Sequence, residues 1–85
     1  MKVKLTITHF VYLDYSLSEQ EESLKSSLQI KKENQFVFIE LEEEIADKLR
    51  DWAMAKQVQV GFDENYELNP EGKILEELVD AFYIG

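Results

Sequence analysis

No cysteine occurs among the 85 residues of this chain, so neither a disulfide nor a thiolate-bound metal can hold the fold together. The fold must therefore come from the burial of apolar side chains. Hydrophobic residues make up 45% of the chain, a fraction that is typical of folded proteins and argues against general disorder. A chain this short closes one hydrophobic core, so we expect a single compact domain over residues 1–85.

Alternation with a period of two residues predicts a long strand near the start. The segment VKLTITHFVYL, residues 3–13, places apolar residues at every second position, which suits a strand because its side chains point to opposite faces in turn. We expect this strand to bend near Thr8 to Phe10 or to extend beyond the sheet, since it is longer than most. The next segment, residues 16–28, has Ser18 and Glu21 at the spacing of a capping box and predicts a short helix, with an irregular connection as the alternative.

The middle of the chain predicts a hairpin followed by a helix. Residues 28–41, LQIKKENQFVFIEL, predict two strands that turn at Glu33 and Asn34, because Asn tolerates the left-handed conformation. The segment from Phe36 to Ile39 is apolar on both faces, which is typical of a central strand. Residues 42–57 then place apolar side chains at helical spacing. The expected buried stripe of this helix is Ile45, Leu49, Trp52 and Ala53.

The last third of the chain predicts one more strand and one more helix. VQVGF, residues 58–62, alternates again and predicts a fourth strand. The final helix is predicted to be capped by Asn69 and to begin at Pro70. The predicted fold class is α+β: a two-layer, mostly antiparallel four-stranded sheet with helices packed on one face, in the order β-α-β-β-α-β-α.

The loop GFDENYELNPEG, residues 61–72, has acidic or amide side chains at every second position and raises the question of a calcium site. Counted from Asp63, the third and fifth positions, Asn65 and Glu67, fit an EF-hand loop. The sixth and twelfth positions lack the required Gly and Glu. We therefore predict a turn and a helix cap, with no metal site and no cofactor, and keep weak adventitious cation binding as the alternative.

The residues that enzyme sites use are sparse, and the protein is predicted not to be an enzyme. His9 is the single histidine, and it lies on the apolar face of the predicted first strand. A serine nucleophile would need a base, and only His9 could serve as one. The three glycines are scattered, so no phosphate-binding loop is formed. We interpret His9 as a hydrogen-bonded structural histidine.

The charge is strongly acidic and unevenly distributed. The chain has 18 acidic and 9 basic residues, a net charge of −9. Residues 1–32 carry five lysines against four acids, a net +1, while residues 33–85 carry four basic residues against fourteen acids, a net −10. Such a field repels nucleic acid and anionic membranes and attracts basic protein surfaces. The alternative is that the acids only make the protein soluble.

The spacing of the acids suggests a binding surface. Glu43, Asp47 and Asp51 recur every four residues and fall on one face of the predicted helix. Our first hypothesis is that such acids imitate the phosphates of a nucleic acid and mask the basic surface of a nuclease or other nucleic-acid-binding protein, as a phage-type inhibitor or an antitoxin-like partner would. The predicted partner-binding residues are Glu43, Asp47, Asp51, Asp63, Glu64, Glu67, Glu76, Glu77 and Asp80.

The second hypothesis is an architectural subunit that forms a homodimer through the long first strand. Its contact residues would be Phe10, Tyr12 and Tyr15, because exposed aromatic side chains on a strand are common at interfaces. No apolar stretch approaches the roughly 20 residues that span a bilayer, and the first ten residues alternate instead of forming a signal-peptide core. We therefore expect a cytoplasmic protein without direct contact to membrane or nucleic acid.

Overall fold

A computed structural model describes residues 1–83, and their contacts divide the chain into two compact units, Met1–Ile45 and Ala46–Gly85. In chain order the elements are β1 (Lys2–Thr6), α1 (Ile7–Gln20), α2 (Glu22–Ser26), β2 (Gln29–Glu33), β3 (Phe36–Glu40), α3 (Glu43–Val60) and α4 (Pro70–Ala81). The predicted α+β class is confirmed. A single domain stays a prediction, and we describe the N-terminal unit and the C-terminal unit separately.

The sheet of the N-terminal unit is antiparallel with the strand order β1-β3-β2, so β3 is the central strand, as predicted. Val3 pairs with Ile39 and Leu5 pairs with Val37. All four of these side chains are buried, and helix α1 packs against β1 and β3. We call the side of the sheet that carries these four residues the inner face.

The predicted hairpin is confirmed, and its turn lies at Asn34 and Gln35, one residue later than predicted. Glu33 pairs with Phe36 across a two-residue turn, and Asn34 adopts a positive φ of 50°. This is the left-handed conformation that Asn tolerates better than most residues. The local sequence therefore sets the turn without help from the rest of the chain.

The predicted strand over residues 3–13 is wrong beyond Thr6, where β1 ends and α1 begins. The Thr6 hydroxyl accepts a hydrogen bond from the backbone N of His9 at 3.3 Å and so caps the helix. Phe10, Leu13 and Leu17 are buried on α1, and their spacings of three and four residues belong to a helix. The segment carries both periodicities, and burial of these three side chains favours the helical one.

The predicted helix over residues 16–28 is also different in the structure. Ser18 lies inside α1, where its hydroxyl donates to the backbone O of Asp14 at 2.8 Å, so it does not cap a new helix. The helical path is interrupted at Glu21, whose φ of −145° is not helical, and the short helix α2 follows. Two helices therefore stand where one was predicted.

The predicted fourth strand over residues 58–62 is wrong, because α3 continues to Val60. Phe62 makes only an isolated antiparallel bridge with Leu68. Strand propensity is a weak preference that the surrounding structure often overrides. Within residues 1–83 the sheet has three strands, and the observed order is β-α-α-β-β-α-α.

The C-terminal unit is an antiparallel pair of helices. The side-chain amide of Gln57 on α3 donates to the backbone O of Gly72 on α4 at 3.2 Å, and the Arg50 guanidinium lies 5.7 Å from the centre of the Tyr83 ring. The predicted start of α4 is confirmed, since Asn69 Oδ1 accepts from the Gly72 N at 2.7 Å. The buried hydrophobic residues of this unit are Ala46, Leu49, Ala53, Leu75, Leu78 and Phe82.

Across residues 1–83, no helix combines the length and the apolar content that crossing a bilayer requires.

Candidate functional site

Three of the predicted partner-binding acids lie on helix α3. Glu43, Asp47 and Asp51 are all exposed, and side chains four residues apart on an α-helix are neighbours on one face, about 6 Å apart. We call these three residues the α3 row. Glu43 and Glu44 stand in the first turn, where the partial positive charge of the helix end stabilises them.

One member of the α3 row has a cationic neighbour. The Arg50 guanidinium lies 3.0 Å from the Asp47 carboxylate, three residues along the helix. This exposed pair offsets part of the negative charge of the row and contributes little to stability. Asp51 and Glu43 therefore carry more of the row's field than Asp47 does.

The solvent face of α3 changes character along its length. Met54 and Val58 follow Asp51 at three and seven residues, and their exposed fractions are 49% and 76%. The acidic first half of this face therefore runs into an apolar second half. The sequence analysis did not predict this apolar surface, because it assigned Val58 to a strand. The helical spacing of Asp51, Met54 and Val58 was the signal that could have indicated it.

Helix α4 carries a second acidic face. Its exposed charged residues are Lys73, Glu76, Glu77 and Asp80. The three acids follow Lys73 by three, four and seven residues, so all four lie on one side of the helix. Leu75 and Leu78 are fully buried on the other side. Three acids against one lysine leave this face with a net charge of −2.

The acids of the 61–69 loop have mixed roles. Asp63 Oδ1 accepts hydrogen bonds from the backbone N of Asn65 at 2.8 Å and from that of Glu67 at 3.1 Å. Asp63 therefore holds the turn together, in agreement with the predicted turn chemistry. The side chains of Glu64 and Glu67 are exposed. In the part of the chain that the structure describes, no group of three His, Asp or Glu side chains is arranged to hold a metal ion.

Eight of the nine predicted acids belong to the C-terminal unit, and all eight are exposed. The ninth, Glu43, lies in the first turn of α3. Residues 46–83 contain nine acidic and four basic side chains, a net charge of −5. A surface of this kind can attract a cationic partner.

The three aromatic residues of the second hypothesis lie on helix α1, so the expected contact through a long strand is wrong. Phe10 is only 6% exposed and belongs to the core. Tyr12 is half-buried, whereas Tyr15 is 64% exposed. The three side chains therefore do not form one surface, and self-association as such stays a prediction.

The environment of Tyr15 is acidic. Glu19, four residues further along α1, accepts a hydrogen bond from the phenol, and this bond together with its negative charge raises the pKa of Tyr15 above its ordinary value of 10.0.

His9 lies in the first turn of α1, not on the apolar face of a strand. Its ring Nδ1 is hydrogen-bonded to the Thr6 hydroxyl, and its backbone N donates to the same oxygen. The predicted hydrogen bonding of His9 is confirmed, and the structure adds that its partner is the helix cap.

Comparison of this chain with protein-family models, with curated proteins and with solved structures gives no match in any of the three. A function must therefore be argued from the chemistry of the described surface.

Proposed function

We propose that this protein is a small, acidic, non-enzymatic binding protein that masks the basic surface of a cytoplasmic partner. The observation that carries the proposal is the set of eight exposed acids in the C-terminal unit. The most concrete partner is a nuclease or another nucleic-acid-binding protein, whose activity would be blocked in the manner of a phage-type inhibitor or an antitoxin-like partner.

Rigid spacing supports this function. The α3 row and the acids of α4 are carried on helices of 18 and 12 residues, so their carboxylates need little ordering when a partner binds. A groove that binds nucleic acid already presents lysine and arginine side chains to a regular series of negative charges. Acids at helical spacing can occupy such a groove and compete with the nucleic acid for it.

The apolar end of α3 distinguishes a binding surface from a purely solubilising one. Met54 and Val58 are exposed next to Asp51, and interfaces combine a desolvated apolar centre with a polar rim. We expect the partner to place an apolar patch against these two residues and basic side chains against the α3 row.

Two charge-reversal variants test the proposal. D51K/E76K changes one exposed acid on each helix of the C-terminal unit, and E21K/E22K makes the same change in net charge at exposed positions of the N-terminal unit. After affinity capture of the partner, binding is measured by calorimetry and nuclease activity is measured with each variant. D51K/E76K is expected to weaken binding at least about tenfold and to restore nuclease activity.

The control variant decides between masking and bulk charge. E21K/E22K should bind as the wild type does, since its substitutions lie outside the C-terminal unit. If both variants weaken binding equally, net charge and not this surface drives binding; if neither does, the acids serve only solubility. Either result contradicts the masking surface.

A further inference from the structure

The sheet of the N-terminal unit has a second face whose composition differs from the rest of the chain. We call it the outer face, and it consists of the residues that alternate with the inner face. The strand register arranges them in three rows, each with one residue from β1, β3 and β2: Lys2, Glu40 and Gln29; Lys4, Phe38 and Lys31; Thr6, Phe36 and Glu33.

The outer face carries aromatic side chains that the described chain leaves accessible. Phe36 is 37% exposed and Phe38 is half-buried. Lys4 Nζ lies 4.0 Å from the centre of the Phe36 ring, and Lys2 Nζ lies 5.8 Å from that of Phe38. Aromatic side chains are enriched in protein interfaces, so this face is suited to an additional partner.

Charge indicates what that partner is. The outer face has three lysines and two glutamates, a net +1, in a chain whose net charge is −9. Two copies of an acidic protein repel one another through most of their surface. The outer face is nearly balanced and carries both signs, so a second copy can approach it without that local repulsion.

The charges are arranged so that one outer face is complementary to a second copy of itself when the two are related by a twofold axis. Consider a twofold symmetry axis that lies between two outer faces, passes over Phe38 and runs at about 45° to the strands, close to the diagonal from Gln29 to Thr6. Rotation about this axis places Phe38 against Phe38 of the second copy. It also brings Lys2 over Glu33, Lys31 over Glu40 and Lys4 over the Phe36 ring of the second copy, and each of these contacts occurs twice. Lys31 and Glu33, which form an exposed ion pair at 3.0 Å within one chain, thereby each gain a partner on the second copy.

Standard sheet dimensions allow these contacts. Neighbouring strands lie about 4.8 Å apart and alternate residues about 6.8 Å apart along a strand, so the rotated positions coincide to about 3 Å. That offset is within the reach of lysine and glutamate side chains. The strands of the two copies then cross at nearly 90°, which is one of the two common arrangements for packed sheets.

We propose that the outer face is the interface of a symmetric homodimer, centred on Phe38 and specified by the Lys31–Glu40 and Lys2–Glu33 contacts between copies. The proposal is independent of the masking function, because it concerns the N-terminal unit and none of the predicted partner-binding acids. Nine residues per copy make a small interface, so the dimer is expected to be weak, with a dissociation constant on the order of 100 µM.

Sedimentation of the full chain over a concentration range reaching about 1 mM tests the dimer directly. The wild type should show a reversible equilibrium between monomer and dimer. The single variants K31E and E40K should each raise the dissociation constant at least about tenfold, because an attractive contact becomes repulsive at two places.

Mixing the two single variants gives the sharpest result. In a mixed dimer, the new acid at position 31 of one copy faces the new lysine at position 40 of the other, and the two unchanged residues also attract. The mixture should therefore associate within about twofold of the wild type, although each variant alone does not. If a substitution weakened association only by disturbing the fold of its own chain, mixing the two variants would not restore association.

Matched variants locate the interface. K73E and E64K, both exposed in the C-terminal unit, should leave association nearly unchanged, alone and mixed. F38T should abolish the dimer, whereas Y15S on α1 should not. If circular dichroism shows that F38T does not fold, the mixture of K31E and E40K alone tests the proposed interface.

Several outcomes would overturn the dimer. These are a monomer at every concentration, a mixture that fails to restore association, or loss of association in Y15S but not in K31E. Saturable binding of a fluorescein-labelled oligothymidylate by a monomeric wild type, lost in F38T, would assign the outer face to single-stranded nucleic acid instead.

Discussion

At the scale of single residues, two glycines decide how closely the two helices of the C-terminal unit can approach. A Cβ atom built on Gly72 would lie 2.1 Å from the backbone O of Gly61, and one built on Gly61 would lie 3.0 Å from the Cα of Gly72. Both distances are shorter than van der Waals contact. The backbone N of Asn69 donates to the Gly61 O at 2.9 Å, which ties the same two segments together.

We expect G72A to destabilise the protein. Alanine has a higher helix propensity than glycine by about 0.8–1 kcal/mol, so propensity alone predicts a gain in stability. The clash with Gly61 predicts a loss of about 1–3 kcal/mol in the free energy of unfolding. Urea unfolding followed by circular dichroism measures the sign. K73A, at the next and exposed position of α4, should change the free energy by less than about 0.5 kcal/mol; a stabilised G72A would contradict the close approach.

At the scale of elements, the transition from β1 to α1 is made by one residue. Thr6 pairs with Phe36 as the last residue of β1 and caps α1 through its hydroxyl. Its φ and ψ of −68° and 160° are extended, as an N-cap residue requires. The chain therefore changes from strand to helix without an intervening loop.

The cap at Thr6 gives a prediction for α1. T6A removes the hydroxyl that accepts from His9 and should lower the free energy of unfolding by about 1 kcal/mol. T6S keeps the hydroxyl and should lower the free energy of unfolding by only a few tenths of about 1 kcal/mol. T8A, on the exposed side of the first turn of α1, is the matched control and should be neutral or stabilising. Equal losses in T6A and T8A, measured by urea unfolding, would show that Thr6 is not the cap.

Whether a sequence pattern predicted an element correctly depended on how far along the chain its packing partners lie. Residues 3–13 and 58–62 alternate at period two, yet most of their length is helical. Val, Ile and Thr favour strands only when a neighbouring strand and a packed surface are available. The hairpin around Asn34 was predictable because its second strand is supplied locally, a few residues along the chain.

At the scale of the whole molecule, the net charge of −9 governs the two proposed associations in opposite ways. Two copies repel one another through their full charge, whereas a basic partner is attracted by it. At 10 mM salt the screening length is about 30 Å, and at 0.15 M it is about 8 Å. The repulsion therefore acts across a dimer only at low salt.

We expect salt to strengthen the dimer and to weaken partner binding. The ion pairs at the outer face act over distances shorter than the screening length, so salt screens them less than it screens the long-range repulsion between two copies at −9. Raising the salt from about 10 mM to about 150 mM should shift sedimentation toward the dimer. The affinity for a basic partner, measured by calorimetry over the same range, should fall. A dimer that also weakens steadily would contradict the balanced charge of its interface.

The sequence alone determined the features whose physical cause is local. The turn at Asn34, the cap of α4 by Asn69 and the exposed spacing of the α3 row depend only on residues a few positions apart. Only the tertiary structure decided where β1 ends, that α3 continues through Val58, and that lysines from β1 and β2 flank the phenylalanines of β3. These features depend on strand register and on burial against distant segments, and such interactions leave no periodic signal in a short stretch of sequence.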